Sequence, residues 1–176
     1  HETALMHAAK SGQIECLGLL LRQPHSAKTK LVNVNGDTAL TLAATHGCLD
    51  CVNALIEKLE EANEVLHETK KGDTALTLAI KNGHEKVVSS LCLEGKARIE
   101  YESNSGKTAL LAAVSADRPE MIRLLASLSS KQKKQGDSNK VSLDCVDYET
   151  SRNAPEFVTA LHYASLMHRR NACIEA

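Results

Sequence analysis

The chain has 176 residues, a formal net charge of -1 and 43% hydrophobic residues, enough for one domain with a real core or a short array of repeats. With 21 Lys and Arg against 22 Asp and Glu, no global field draws it to nucleic acid or to an anionic membrane. Aromatic residues make up only 2%, with Phe157 the single Phe and no Trp, so base stacking and aromatic cages have little to build on. No apolar run approaches the roughly 20 residues that span a bilayer; the best, Leu17–Leu21, follows Glu15 closely. The six cysteines, at 16, 48, 51, 92, 145 and 173, are spread through apolar or helical stretches and read as reduced thiols of an intracellular, cytoplasmic protein.

The elements follow from an internal repeat. Thr-Ala-Leu begins at Thr3, Thr38, Thr74, Thr108 and Thr159, at intervals of 35, 36, 34 and 51 residues. Five residues after each Thr stands Ala8, Ala43, Ala79, Ala113 or Ala164. Nine after it come Gly12, Gly47 and Gly83, then Asp117 and His168. Fourteen after it come Leu17, Val52, Val88, Ile122 and Cys173; seventeen after it, Leu20, Leu55, Leu91, Leu125 and Ala176. Thr is a good N-cap, because its hydroxyl accepts from the free N–H groups of the first helical turn. The spacing predicts a two-turn helix such as 39–45, closed by Gly47, whose missing Cβ permits positive φ. A second helix over 49–56 follows, with Val52, Leu55 and Ile56 at helical spacing. Asn35-Gly36, Lys71-Gly72 and Ser105-Gly106 mark a tight turn just before the next Thr.

This unit resembles the ankyrin repeat. The run Gly72-Asp73-Thr74-Ala75-Leu76, with Ala79, Gly83-His84, Val87-Val88 and Leu91 behind it, is similar to the family's core motif, and Glu94 to Ile99 resembles its closing segment. The resemblance implies an all-α superhelical solenoid of helix-turn-helix units joined by β-hairpin-like loops. The repeats are expected at about 1–34, 35–70, 71–104 and 105–153, with an insertion near 129–140, and an incomplete one at 154–176. The chain departs from the family in having Ala after every Thr where Pro is usual. The usual His three residues after Thr appears only as His162; Met6, Thr41, Thr77 and Leu111 replace it. Asp117 and His168 in place of Gly predict less regular turns in units four and five. Neither end carries a polar cap, so the chain reads as a piece of a longer protein.

Two stretches break the period. Ser129 to Lys140 contains nothing apolar and reads as a solvated insertion. Glu57 to Glu68 reads as the ordinary closing loop of unit two rather than as two more turns of helix.

Several apparent motifs dissolve on inspection. Ser105-Gly106-Lys107-Thr108 imitates a phosphate loop, but Tyr101 stands where that loop needs Gly. Cys48-Leu49-Asp50-Cys51 has no second ligand pair for zinc. Cys51 shares a core position with Cys16, Val87 and Met121, while Cys48 opens a helix, where thiols are more reactive. The reading is therefore of a non-catalytic chain with no cofactor and no metal, binding no nucleic acid, not inserted in a membrane, and monomeric.

What the resemblance implies is a protein-binding scaffold whose concave face engages a partner protein or peptide of unknown identity. The matching positions are Asn35, Asp37, Thr45 and His46 in unit two, Lys71, Asp73, Lys81 and Asn82 in unit three, and Ser105, Lys107 and Ser115 in unit four. Glu2, Lys10 and Ser11 extend the row in unit one, Ala116 in unit four, and Leu166 and Met167 in unit five. Their charges are expected to contribute little to folding. The alternative is a substrate-recruiting or regulatory segment of a larger enzyme, such as a kinase or a ubiquitin ligase.

Overall fold

A computed structural model describes residues 2–22, 29–59, 64–95, 97–99 and 101–134, with side chains to Ser129. The fifth Thr-Ala-Leu unit and the rest of the insertion lie outside them. Among the described residues the structure is all-helical, with no strand. Eight helices form four pairs: α1 (Ala4–Lys10) with α2 (Ile14–Arg22), α3 (Ala39–His46) with α4 (Leu49–Ile56), α5 (Ala75–Asn82) with α6 (Glu85–Leu93), and α7 (Ala109–Ser115) with α8 (Pro119–Lys134). The first helices pack in one row, α1 on α3 on α5 on α7, and the second helices in another, α2 on α4 on α6 on α8.

The repeated residues account for this stacking. Each Thr caps its helix: the hydroxyls of Thr3, Thr38, Thr74 and Thr108 accept from the N–H three residues on, at 3.2, 3.2, 3.3 and 3.2 Å. Thr41 and Thr77, standing where the family usually has His, complete a capping box by accepting from Thr38 N and Thr74 N, both at 2.8 Å. Ala8, Ala43, Ala79 and Ala113 are buried, so the first helices approach closely, and the carbonyl of each takes the bond that closes its helix. Gln13 N donates to Ala8 O at 2.9 Å, Cys48 N to Ala43 O at 3.0 Å, His84 N to Ala79 O at 2.9 Å and Arg118 N to Ala113 O at 3.0 Å. The position before each of these donors is left-handed, with φ of 69°, 73° and 80° at Gly12, Gly47 and Gly83, and 52° at Asp117.

Unit four therefore turns as the others do, contrary to the irregular turn expected there. Asp is among the few side chains that tolerate the left-handed region, and the closing bond holds it in place. At Gly47 a second constraint adds to φ. A Cβ there would lie 2.6 Å from His84 Nδ1, because His84 of the next unit crosses over this turn, with its Nε2 3.0 Å from Thr45 O.

Leu17, Val52, Leu55, Val88, Leu91 and Leu125 form the core between the helix rows, each at most 2% exposed. Cys51, Val87 and Met121 are buried as their shared position suggests, but Cys16 is exposed. On α2 this face meets no preceding helix pair among the described residues, so Cys16 and Leu19 stay open to solvent. Helix α4 ends at Ile56, in keeping with a loop after it, and Val65 of that loop packs into the core. Helix α8 continues through Ser129 to Lys134, because Leu125, Leu128 and Ser129 are buried, and Lys and Gln are good helix formers where nothing needs burying.

Candidate partner-binding face

The candidate residues stand on two structural platforms, the hairpin tip before each Thr and the last turn of each first helix. Each tip is closed by a residue five positions before the Thr. Asn33 N, Thr69 N and Ser103 N donate to Asp37 O, Asp73 O and Lys107 O at 3.0, 2.9 and 3.0 Å. In return the Asn33 Oδ1, Thr69 Oγ1 and Ser103 Oγ oxygens accept from Asp37 N, Asp73 N and Lys107 N at 2.9, 3.2 and 3.1 Å. All three are buried polar residues whose bonds fix the tip. They are not among the positions that the repeat register singles out, although each is an Asn, Thr or Ser three residues before the turn Gly.

These platforms divide the candidates by exposure. Asn35, His46, Lys71, Asn82, Ser105 and Ser115 are exposed; Asn35, Lys71 and Ser105 share one position of adjacent units and His46 and Asn82 another, while Ser115 stands level with Thr45 and Lys81. Thr45 is half-buried and its hydroxyl donates to Thr41 O at 2.7 Å. Asp37 is half-buried and accepts from Asn33 Nδ2 at 3.0 Å. Glu2 and Lys10 of unit one pair at 3.3 Å, an exposed contact of small energetic weight. Leu166 and Met167 lie outside the described residues.

Asp73, Lys81 and Lys107 behave differently from the loosely held surface charges that were expected. Asp73 is buried, its side chain only 8% exposed, and its Oδ1 accepts from Lys81 Nζ at 2.6 Å and from Lys107 Nζ at 3.1 Å. Lys107 comes from the next unit, and its ammonium also donates to Lys71 O. Burial pushes the Asp73 carboxyl up, but the hydrogen bonds and charges of Lys81 and then Lys107 outweigh it and hold it below its ordinary 3.8. The cluster fastens unit four to unit three and leaves both ammoniums partly open on the candidate face. Beside it, Glu68 ties the same two tips together, accepting from Tyr101 Oη at 2.8 Å and from Asn104 N at 3.1 Å. The hydrogen bond to Glu68, followed by burial, raises the Tyr101 hydroxyl above its usual 10.

The deceptive motifs resolve into parts of the repeat. Ser105 to Thr108 is a hairpin tip followed by a helix cap. Cys48 caps α4 without a side-chain bond to the helix, and Cys51 is buried one turn on, its thiol pushed up by burial and then by the neighbouring Cys48 and Asp50. Among the described residues no three His, Cys, Asp or Glu side chains are grouped so as to hold a metal ion. No described helix is long and apolar enough to cross a membrane.

A family model described as "Ankyrin repeats (3 copies)" matches residues 1–66 and 59–137, which is most of the chain. The chain belongs to the ankyrin-repeat family. Ankyrin repeats are protein–protein interaction modules and are generally non-catalytic. Among solved structures, the human ASB11 ankyrin repeat domain superposes with a TM-score of 0.69 at 25% identity, over 97% of this chain and 66% of that one. The ankyrin repeat domain-containing protein SOWAHB of Xenopus laevis is 31% identical over 121 residues, 67% of this chain but 15% of the relative. A putative E3 ubiquitin-protein ligase of Arabidopsis thaliana, XBAT31, is 31% identical over 134 residues, 70% of this chain and 28% of the relative. The chain thus spans a small part of the curated relatives it matches.

Proposed function

We propose that this ankyrin array is a non-catalytic scaffold that binds a protein or peptide partner on the face formed by its hairpin tips and the ends of its first helices. The observation that carries this reading is the row of exposed polar side chains on units two to four: Asn35, Lys71 and Ser105 at one equivalent position of the hairpin tips, and His46, Asn82 and Ser115 on the last turns of the first helices. They project from tips and helix ends that buried Asn33, Thr69 and Ser103 and the Thr caps hold fixed, so they meet a partner already ordered and lose little entropy on binding. Asp37, Thr45, Asp73, Lys81 and Lys107 contribute by shaping the same surface, and the two lysines by offering partly open ammoniums. Free thiols at Cys16, Cys48, Cys51 and Cys92 fit a monomer working in a reducing compartment, the cytoplasm.

The test pairs a variant of the face with one of the outer row. His46→Ala with Asn82→Ala is expected to weaken partner capture at least tenfold while leaving the fold intact. Glu85→Ala with Lys86→Ala, exposed at the start of α6, is expected to leave capture unchanged. The reverse pattern would place the partner on the outer helices. The likeness to part of a putative ubiquitin ligase favours a second reading, in which the same face recruits a substrate for an enzyme carried elsewhere on a longer chain.

A further inference from the structure

Four lysines meet where units three and four join on the hairpin-tip face. Lys70 and Lys71 are exposed at the tip of unit three, and the side chains of Lys81 and Lys107 are each 32% exposed. Lys81 and Lys107 donate to the same oxygen, Asp73 Oδ1, so a single carboxylate stands between two ammoniums. Lys107 Nζ also donates to Lys71 O, which sets this ammonium of unit four against the backbone of the exposed lysine. Lys70 lies along the tip of unit two: its N donates to Asn35 O at 2.9 Å, and a Cβ at Gly36 would lie 3.3 Å from its Cγ.

These charges do not cancel toward solvent. One carboxylate offsets one of two ammoniums, and the carboxylate is the inner group, its side chain 8% exposed. Burial raises the Asp73 carboxyl, yet the lysines still hold it below its ordinary value, so the potential at this spot is positive. Glu68 is half-buried and turned to the next tip, both of its oxygens accepting from Asn104 N and one also from Tyr101 Oη. Glu102 is the exposed carboxylate of these two tips, and it faces an excess of lysines.

We propose that this part of the face recognises an acidic peptide, a protein segment carrying several Asp or Glu carboxylates. The inference rests on the partner-binding reading above and adds the chemistry of the partner. A carboxylate arriving from solvent meets the ammoniums first, while Asp73 lies behind them. Lysines are point charges on flexible stems, suited to carboxylates at variable spacing rather than to one planar fork. A surface of one sign also speeds encounter with a segment of the other and penalises a basic one. Nucleic acid, the other common polyanion, uses aromatic faces for its unpaired bases. Tyr101 is the aromatic residue of these tips, half-buried and held by Glu68.

The experiment uses the whole chain and three probes: an end-blocked hexapeptide of sequence GDEDEG, its amide counterpart GNQNQG, and a uridine hexanucleotide. Binding is followed by the backbone amide NMR signals of Lys71, Lys81, Asn82 and Lys107. Saturable shifts are expected with the acidic peptide, at least tenfold weaker with the amide peptide. The acidic peptide should also weaken at least threefold between about 20 and about 200 mM salt. Lys70→Gln with Lys71→Gln, both exposed, is expected to keep the fold and weaken the acidic peptide at least fivefold. Lys58→Gln with Lys86→Gln removes the same charge from exposed positions outside these tips and is expected to change binding less than twofold. The proposal is overturned if the acidic peptide gives no saturable shift, if the amide peptide binds as tightly, if the hexanucleotide binds more tightly, or if the two lysine pairs lose equally. Failure here is distinguishable from failure of the face itself. No binding of the acidic peptide, beside capture lost in His46→Ala with Asn82→Ala, removes the acidic class and leaves the partner-binding face standing.

Discussion

Replacing Lys81 and Lys107 by Met, singly and together, tests whether Asp73 fastens unit four to unit three. Met keeps most of the alkyl stem and removes only the ammonium. In Lys81→Met, Asp73 still accepts from Lys107 at 3.1 Å; in Lys107→Met it keeps the 2.6 Å bond from Lys81. A hydrogen bond to a charged group is worth about 1.5–3 kcal/mol. Both lysine side chains are 32% exposed, so water recovers part of that, and each single change should cost about 1 kcal/mol. The double variant leaves a carboxylate whose side chain is 8% exposed with neither cation, a loss in the range of about 3–5 kcal/mol. The double loss should therefore exceed the sum of the singles by about 1 kcal/mol or more. Urea denaturation at neutral pH reads all four corners of the cycle.

The pH dependence supplies a second reading of the same cycle. A carboxyl held below its ordinary value in the folded state contributes stability that is complete above its unfolded value. That stability is lost as pH falls through the folded value. The gap between wild type and double variant should thus be full at neutral pH and shrink in acid, first above 3.8 as the variant's carboxyl, raised by burial without its cations, takes up a proton, and further below 3.8 as that of the wild type does. Singles that add to the double within about 0.5 kcal/mol, or a gap indifferent to acid, would refute the network.

Asp117→Gly should stabilise the chain by about 0.5–1 kcal/mol, since it relieves a left-handed non-glycine residue, while Gly47→Ala should cost more than about 1 kcal/mol through both φ and His84; thermal melts of the two variants check this. Leu91→Ala should cost about 2–5 kcal/mol and Leu59→Ala less than half as much, because Leu91 is fully buried and Leu59 only half; denaturant melts separate them. In thiol labelling at mildly alkaline pH, exposed Cys16 should react first among the cysteines of the described residues. Cys92, pushed up to about 12 by burial, should react only on unfolding, and peptide mapping over time reads the order.

The fold was legible because one set of residues recurs in phase. Thr, Ala, Gly and Leu at fixed offsets each do one local job, and those jobs need no knowledge of distant contacts. What was not legible depended on neighbours from other units. Asp73 reads as a surface charge until Lys107, one repeat later, is seen to reach it. Cys16 reads as core until α2 is seen to lack a preceding pair among the described residues. Asp117 reads as a defect because the closing bond from Arg118 to Ala113 is invisible in composition. The end of α8 was hidden by its polar sequence, which looks the same on a solvated helix as in a loop. Of the candidate face, the exposed positions followed from the repeat register, while the division into projecting and inward-bonded residues required the hydrogen bonds.

The central claim, that the hairpin-tip face is where a protein partner sits, is tested most directly by site-specific photo-crosslinking. A benzophenone amino acid placed in turn at His46, Asn82 and Ser115 samples the face in three adjacent units, and the same probe at Asp50 and Lys86 samples the outer helices, all five being exposed. Irradiation in a cell extract, with products separated by mass, is expected to give one shared partner adduct from the three face positions and none of it from the outer two. The same adduct from Asp50 and Lys86, with nothing from His46, Asn82 and Ser115, would contradict the account.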